Sequence, residues 1–189
     1  MKTTNTIFAL LLILFGFSAQ AQELKVNTSE SSIAWLAKKI GGQHEGFISL
    51  KSGSFEIKND KIVSGSFIID MHSITCTDIS NEEYNGKLIG HLNSDDFFSV
   101  DKYPTAQFVV TSATKFNNGK AKITGKLTIK DKTEEISFDI TQNGNAYTAT
   151  IPVGRSKFDV RYGSNSFFDN LGDKAIEDIF TLNLNLKVN

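Results

Sequence analysis

The chain is short of the residues that would mark several protein classes. It has one cysteine and two prolines in 189 residues. A lone thiol excludes an internal disulfide framework and a Cys-rich zinc module, and so little proline excludes collagen-like repeats. Neither sign of charge is in excess: 20 basic side chains stand against 21 acidic ones, with a pI near 6.3. A dedicated nucleic-acid binder would show a basic surplus, so no nucleic-acid partner is expected. G-x-S-x-G, Walker and dinucleotide-binding glycine motifs are missing as well. What is present, 40% hydrophobic and 22% charged residues, rules out a disordered chain and describes one ordinary globular domain.

The N-terminus carries an address. Lys2 supplies a charged start, Ile7 to Phe17 an apolar run, and Ala19-Gln20-Ala21 a small-residue cleavage box. The run falls short of the ~20 residues a membrane span needs, so residues 1–21 read as a secretory signal peptide cleaved after Ala21. The expected mature domain is 22–189, periplasmic or secreted, with no integral membrane span.

In that domain the dominant period is two. Ala121, Ile123, Gly125, Leu127 and Ile129 alternate with Lys122, Thr124, Lys126 and Thr128, and the next run inverts parity with Ile136, Phe138 and Ile140. Such alternation means antiparallel strands with one wet and one buried face. Two-residue turns at Asn118-Gly119, Lys130-Asp131 and Asn143-Gly144 make a four-strand meander from Thr105 to Val153. They pair Ile123 with Phe138, Phe108 with Ile129, and Phe138 with Ala149. Further strands are expected at 32–39, 45–50, 54–58, 61–71 and 179–188. Eight or nine antiparallel strands make a barrel or a sandwich. Ser80-x-x-Glu83 reads as a capping box opening one short helix, with Tyr84, Leu88, His91 and Leu92 on one face.

The run Gly90-His91-Leu92-Asn93-Ser94-Asp95-Asp96-Phe97-Phe98, followed by Tyr103-Pro104-Thr105-Ala106-Gln107-Phe108, resembles the YceI-like family. The resemblance extends to Ile69–Ile74, Ile123–Ile129 with Thr133, and Arg155-x-x-Phe158, covering residue 30 to the C-terminus. It implies an all-β fold, a lipocalin-like antiparallel β-barrel of about eight strands with one or two short helices. It also implies an exported, non-catalytic protein that encloses a long apolar lipid such as a polyisoprenoid, an isoprenoid quinone or a fatty-acid derivative. The first strand departs from the family pattern, carrying Lys38-Lys39 and then a glycine-rich turn with His44.

The ligand-binding residues expected on this reading are Trp35, Phe47, Phe67, Phe108, Leu127, Phe138 and Phe180, with His91 and Arg155 as head-group contacts. Small inward residues such as Gly65, Ala106 and Ala149 leave space between the aromatic ones, although large and small side chains also interdigitate into a filled β-domain that acts through its outer surface. Neither a cofactor nor a metal is expected. His44, His72 and His91 lack metal-ligand spacing, Cys76 reads as a buried thiol, and Asp95-Asp96 as a cap on the Phe97-Phe98 turn. An enzyme or metal protein would require the histidines, or Asp95 and Asp96, to converge. Lys122 and Lys126 are expected opposite Asp139 and Glu135 on the outer face. A homodimer sharing the surface around Phe167-Phe168 is a further partner the sequence allows.

Overall fold

A computed structural model describes residues 20–189; the apolar run of the expected signal peptide lies outside the described residues. Nine strands follow in order: β1 Gln22–Lys25, β2 Ser32–Lys39, β3 Gly42–Lys58, β4 Lys61–Asp70, β5 Thr105–Ala113, β6 Lys120–Ile129, β7 Lys132–Asn143, β8 Ala146–Gly154 and β9 Ile176–Lys187. Consecutive strands β2 to β9 pair antiparallel around a ring, which β2–β9 pairing closes. β3 is long enough to carry two partners on one side, β2 along Gly42–Ile48 and β1 along Ser54–Ile57. The result is an eight-stranded antiparallel barrel of lipocalin-like form, with β1 sharing the place of β2.

The period-two pattern is realised most fully in β6, where Ala121, Ile123, Gly125, Leu127 and Ile129 are all buried. β6 and β7 hold the expected register, Ile123 facing Phe138 and Lys126 facing Glu135. The Lys122–Asp139 and Lys126–Glu135 pairs do not close to ion-pair distance among the described residues.

Two registers differ from expectation. In the β5–β6 hairpin Asn118-Gly119 does form the turn, with Asn117 bridging Lys120, yet Phe108 faces Leu127 rather than Ile129. A break near Thr114 and a bulge at Thr111 each slip the pairing by one residue. Two slips restore parity, so the inward face survives. Between β7 and β8 the turn is Gly144-Asn145, flanked by the Asn143–Ala146 pair, because Gly144 supplies positive φ (59°) at the first central position. Tyr147 therefore faces Gln142, and Phe138 is not paired with Ala149.

β7 and β8 stay paired only over Thr141–Asn143 and Ala146–Thr148. Beyond that the two strands part, leaving a seam in the wall. Val188 N donates to Asn145 O, so odd-numbered β8 residues address β9 and even-numbered ones address the seam. Pro152 is even. Its missing N–H falls where no ladder bond is made, which is where proline is tolerated in a sheet.

Helix α1, Glu82–Asn93, lies across one end of the barrel. Its N-cap is Asn81, whose side chain accepts from Tyr84 N at 3.0 Å, one residue beyond the Ser80 expected from the capping box. Glu82 and Glu83 in the first turn suit the positive end of the helix dipole. The following Phe97-Phe98 turn is closed by the Ser94 carbonyl, which accepts from Phe97 N and Ser99 N, while Asp95 and Asp96 are exposed and do not cap it.

The seam makes a residue-by-residue prediction. In native-state hydrogen exchange the amides of Glu135, Ser137 and Asp139, which point to β8, are expected to exchange faster than those of Ile136, Phe138 and Ile140, which are bonded to β6. Equal protection across the six would mean that the β7–β8 ladder is continuous.

Candidate ligand-binding site

Two chambers run through the barrel. Inward residues of β2, β6 and β9 trace their order along the strands. Trp35, Ile129 and Phe180 belong to an upper chamber of about 160 Å³, and Ile123, Leu184 and Leu186 to a lower one of about 80 Å³. Ile33, Leu127 and Leu182 line both, so the chambers adjoin end to end. The lower chamber is walled by apolar side chains, among them Phe55, Phe67, Phe108 and Phe138, and closed by Tyr147. These rings meet in tilted and edge-on pairs with centroids 5.0–6.3 Å apart, for example Phe108–Phe138 at 5.4 Å. A larger open groove of about 430 Å³ lies where the N-terminal segment meets the C-terminus, but it is outside the barrel and lined by Asn27, Glu30, Gln142 and Lys187.

The upper chamber is roofed by Leu88 and Leu92 of α1 and by Phe97 and Phe98 behind it. Polar groups gather only at its rim, where Lys38, Lys39, His44, Arg155 and Glu177 enter the lining. Trp35 is fixed by a 3.0 Å bond from Nε1 to the Thr75 carbonyl, and the chain at Thr75 crosses so close to Gly46 that a Cβ there would sit 1.8 Å from that oxygen. Only glycine fits at Gly46, and Thr75 can lie beside the strand because it does.

Of the residues expected to bind ligand, Trp35, Arg155 and Phe180 line the upper chamber, Phe67, Phe108 and Phe138 the lower, and Leu127 both. Phe47 is placed elsewhere. It is 48% exposed on the outer face of β3, because the inward parity there belongs to His44, Gly46, Ile48 and Leu50. His91 lines neither chamber; its ring packs edge-on between Tyr162 and Phe97 at 4.4 and 5.1 Å, near Asp96.

Arg155 is a wall residue whose donors are spent mainly on backbone carbonyls. It is 3% exposed, and Nε, Nη1 and Nη2 donate to the carbonyls of Glu177, Val160, Tyr162 and Ile176 at 2.8–3.0 Å. Nη2 also stands 3.5 Å from Asp178 Oδ1, a charge contact without a hydrogen bond, so four of the five N–H groups of the guanidinium are bonded to backbone carbonyls. Burial draws the Arg155 pKa down while Asp178 opposes it. Burial pushes the Asp178 carboxyl up, but hydrogen bonds from Ser164 and Ser166 and the Arg155 charge outweigh it and hold the group below its usual range. The role of Arg155 is to bind segment 159–175 to the barrel end.

Sequence reasoning missed one cluster. His44 Nδ1 lies 2.8 Å from Asp78 Oδ2, while Asp78 Oδ1 accepts from Glu45 N at 3.0 Å and from Cys76 Sγ at 3.1 Å. The signal was the parity of β3, visible once the strand is extended back from Glu45 to Gly42. Burial raises the Asp78 carboxyl, yet the Glu45 amide, His44 and Cys76 together overcome this and hold it at about 2. Burial, then the bond to Asp78, pushes the Cys76 thiol up. The three side chains bring ligand atoms within 4.8 Å of one another, the nearest approach to a metal site among the described residues. A metal would have to displace a thiol proton that burial and Asp78 both retain. As hydrogen bonding stands, the cluster orients an imidazole. His72 and His91 do not join it.

An antiparallel barrel of lipocalin-like form around an apolar cavity defines a class of binding protein, and comparisons place the chain within it. The model of the YceI-like domain matches residues 24–188, and the chain belongs to that family, one of binding proteins rather than catalysts. A UPF0312 protein of Pseudomonas putida is 32% identical over 149 residues, covering 76% of this chain and 74% of its own. Burkholderia cenocepacia BcnA superposes with a TM-score of 0.65 at 26% identity, over 85% of this chain and 98% of BcnA. A polyisoprenoid binding domain from Saccharophagus degradans, implicated in plant cell wall breakdown, shares the fold with a TM-score of 0.58 at 11% identity, over 87% and 97% of the two chains. No helix among the described residues is long and apolar enough to cross a membrane.

The Asp78 cluster has a pH signature. Folding depresses this carboxyl from 3.8 to about 2, so its stabilisation is complete above the unfolded value and is lost as pH falls toward the folded one. Asp78→Asn is expected to lower the thermal midpoint at neutral pH, and the gap to the parent protein to close between pH 3.8 and about 2. A gap independent of pH over that range would show that the carboxylate charge contributes nothing there.

Proposed function

We propose that this protein is an exported, non-catalytic carrier that sequesters one long-chain lipid, a polyisoprenoid, isoprenoid quinone or fatty-acid derivative, in the two chambers of its barrel. The observation that carries the reading is the pair of adjoining apolar chambers inside the strand ring. An eight-stranded barrel either fills its interior with side chains or holds one small ligand, and this one keeps space along its axis. The filled-domain alternative loses ground on the same observation. BcnA shares the barrel at 26% identity, and the Saccharophagus domain, named for polyisoprenoid binding, shares its form.

Burial is the whole mechanism. Each CH₂ withdrawn from water contributes about 0.8 kcal/mol. A chain of about ten such groups supplies roughly 8 kcal/mol, the free energy of micromolar binding before association entropy is subtracted. Long chains are therefore retained and short ones exchange. Export rests on the 1–21 pattern and the mature domain on residues 22–189, with β1 starting at Gln22. Phe167 and Phe168, 40% and 48% exposed, are the surface a second copy would use.

The test is native mass spectrometry of the full chain expressed in an exporting bacterial host. An N-terminus at Gln22 and a stoichiometric mass increment that organic extraction removes are expected. Leu182→Trp, at the junction of the chambers, is expected to abolish retention of oleate-length chains while sparing lauryl-length ones. A clean apo mass that persists after incubation with isoprenoid quinones and fatty acids would sink the carrier reading.

A further inference from the structure

At one end of the upper chamber an apolar wall gives way to cations. Ala37 pairs with His44 and Lys39 with Gly42 across the β2–β3 hairpin, which makes Lys39 and His44 diagonal neighbours on the inner face. A bulge in the β2–β9 ladder between Ala37 and Lys39 brings the adjacent Lys38 into the lining as well. Neither lysine has a carboxylate within ion-pair distance among the described residues. The carboxylate in the lining is Glu177, one against the two ammonium groups, while the Arg155 charge faces Asp178 at 3.5 Å outside the lining.

His44 is held in a defined orientation there. An ionised Asp78 carboxylate can only accept, so Nδ1 carries the proton in their 2.8 Å bond and Nε2 has no partner among the described residues. Cys76, on the far side of Asp78, stays a neutral thiol. A carboxylate aligned behind an imidazole fixes its tautomer, so Nε2 is presented as an acceptor.

We propose that the upper chamber selects lipids with an anionic head group, a carboxylate or a phosphate, seated between Lys38, Lys39 and the Nε2 edge of His44, with the tail running past Trp35 toward Phe138. The proposal rests on the lipid-binding reading above and narrows it. A head group that keeps a proton, such as a hydrogen phosphate, donates it in a hydrogen bond to Nε2, while the lysines face its negative oxygens. The two lysines add charge without burial, since their ammonium groups remain at the solvent edge while their stems extend the apolar wall.

Trp35 is the only tryptophan in the chain and lines this chamber, so its fluorescence reports occupancy directly. The experiment titrates the delipidated full chain with oleate, oleyl phosphate and oleyl alcohol, which share one tail. At least one anion is expected to bind about tenfold tighter than the alcohol, and the better of the two identifies the head-group chemistry. Lys38→Gln with Lys39→Gln is expected to erase that preference by weakening the anions more than the alcohol, and a thermal midpoint and far-UV spectrum matching the parent show that the variant is folded. His44→Gln is expected to reduce the preference in part. Equal binding of all three ligands overturns the head-group assignment and leaves the lipid reading standing. Binding of none of them overturns both.

Discussion

The pairing of β2 with β9 is the constraint on which the rest depends. It joins Ser32 to Asn185 and Ala37 to Phe180, bringing the first and last strands of the ring together. Every other neighbouring pair in the ring is a hairpin or a near-sequential connection. Without the β2–β9 ladder the strands form an open meander with its apolar face in water. With it, Ile33, Trp35, Leu182 and Leu184 turn onto a common axis with Leu127 and Phe138, and an interior exists. Such long-range closure carries a loop-entropy cost before it gains contacts, which favours formation of the local β5–β8 hairpins first.

Much of this architecture was legible in the amino-acid pattern. Strict alternation and a two-residue turn fixed β6 against β7, since any slip by one would move Ile136, Phe138 and Ile140 into water. The misread registers were local. A bulge leaves no trace in hydrophobic alternation when a second slip cancels it, as at Thr111. Asn143-Gly144 and Gly144-Asn145 are both acceptable turn pairs, and only the positive φ at Gly144 in the first central position separates them. Pro152 in β8 was a readable sign that one side of that strand makes no ladder.

The site was less legible for a physical reason: size and polarity are poor guides to which way a side chain points. Phe47 looks like a cavity residue by composition, yet the smaller Gly46 and Ile48 hold the inward parity. Arg155 and His91 look like head-group contacts by charge. The first satisfies backbone carbonyls that would otherwise be stranded at the barrel end, and the second is packed among aromatic rings outside the chambers. His44 was discounted because it lacks sequence partners; its partner Asp78 lies 34 residues away and is delivered by the crossing at Thr75.

The seam between β7 and β8 has a mechanical consequence. A cylinder hydrogen-bonded all the way round is stiff in hoop, because dilating it stretches every ladder. Here the β7–β8 joint carries no ladder pairing beyond Thr148, on strands that also bring Phe138 and Ile151 to the lower chamber. Girth can grow along that joint with no ladder bond broken beyond Thr148. The resting volume of the interior is thus a lower bound on what the barrel can enclose.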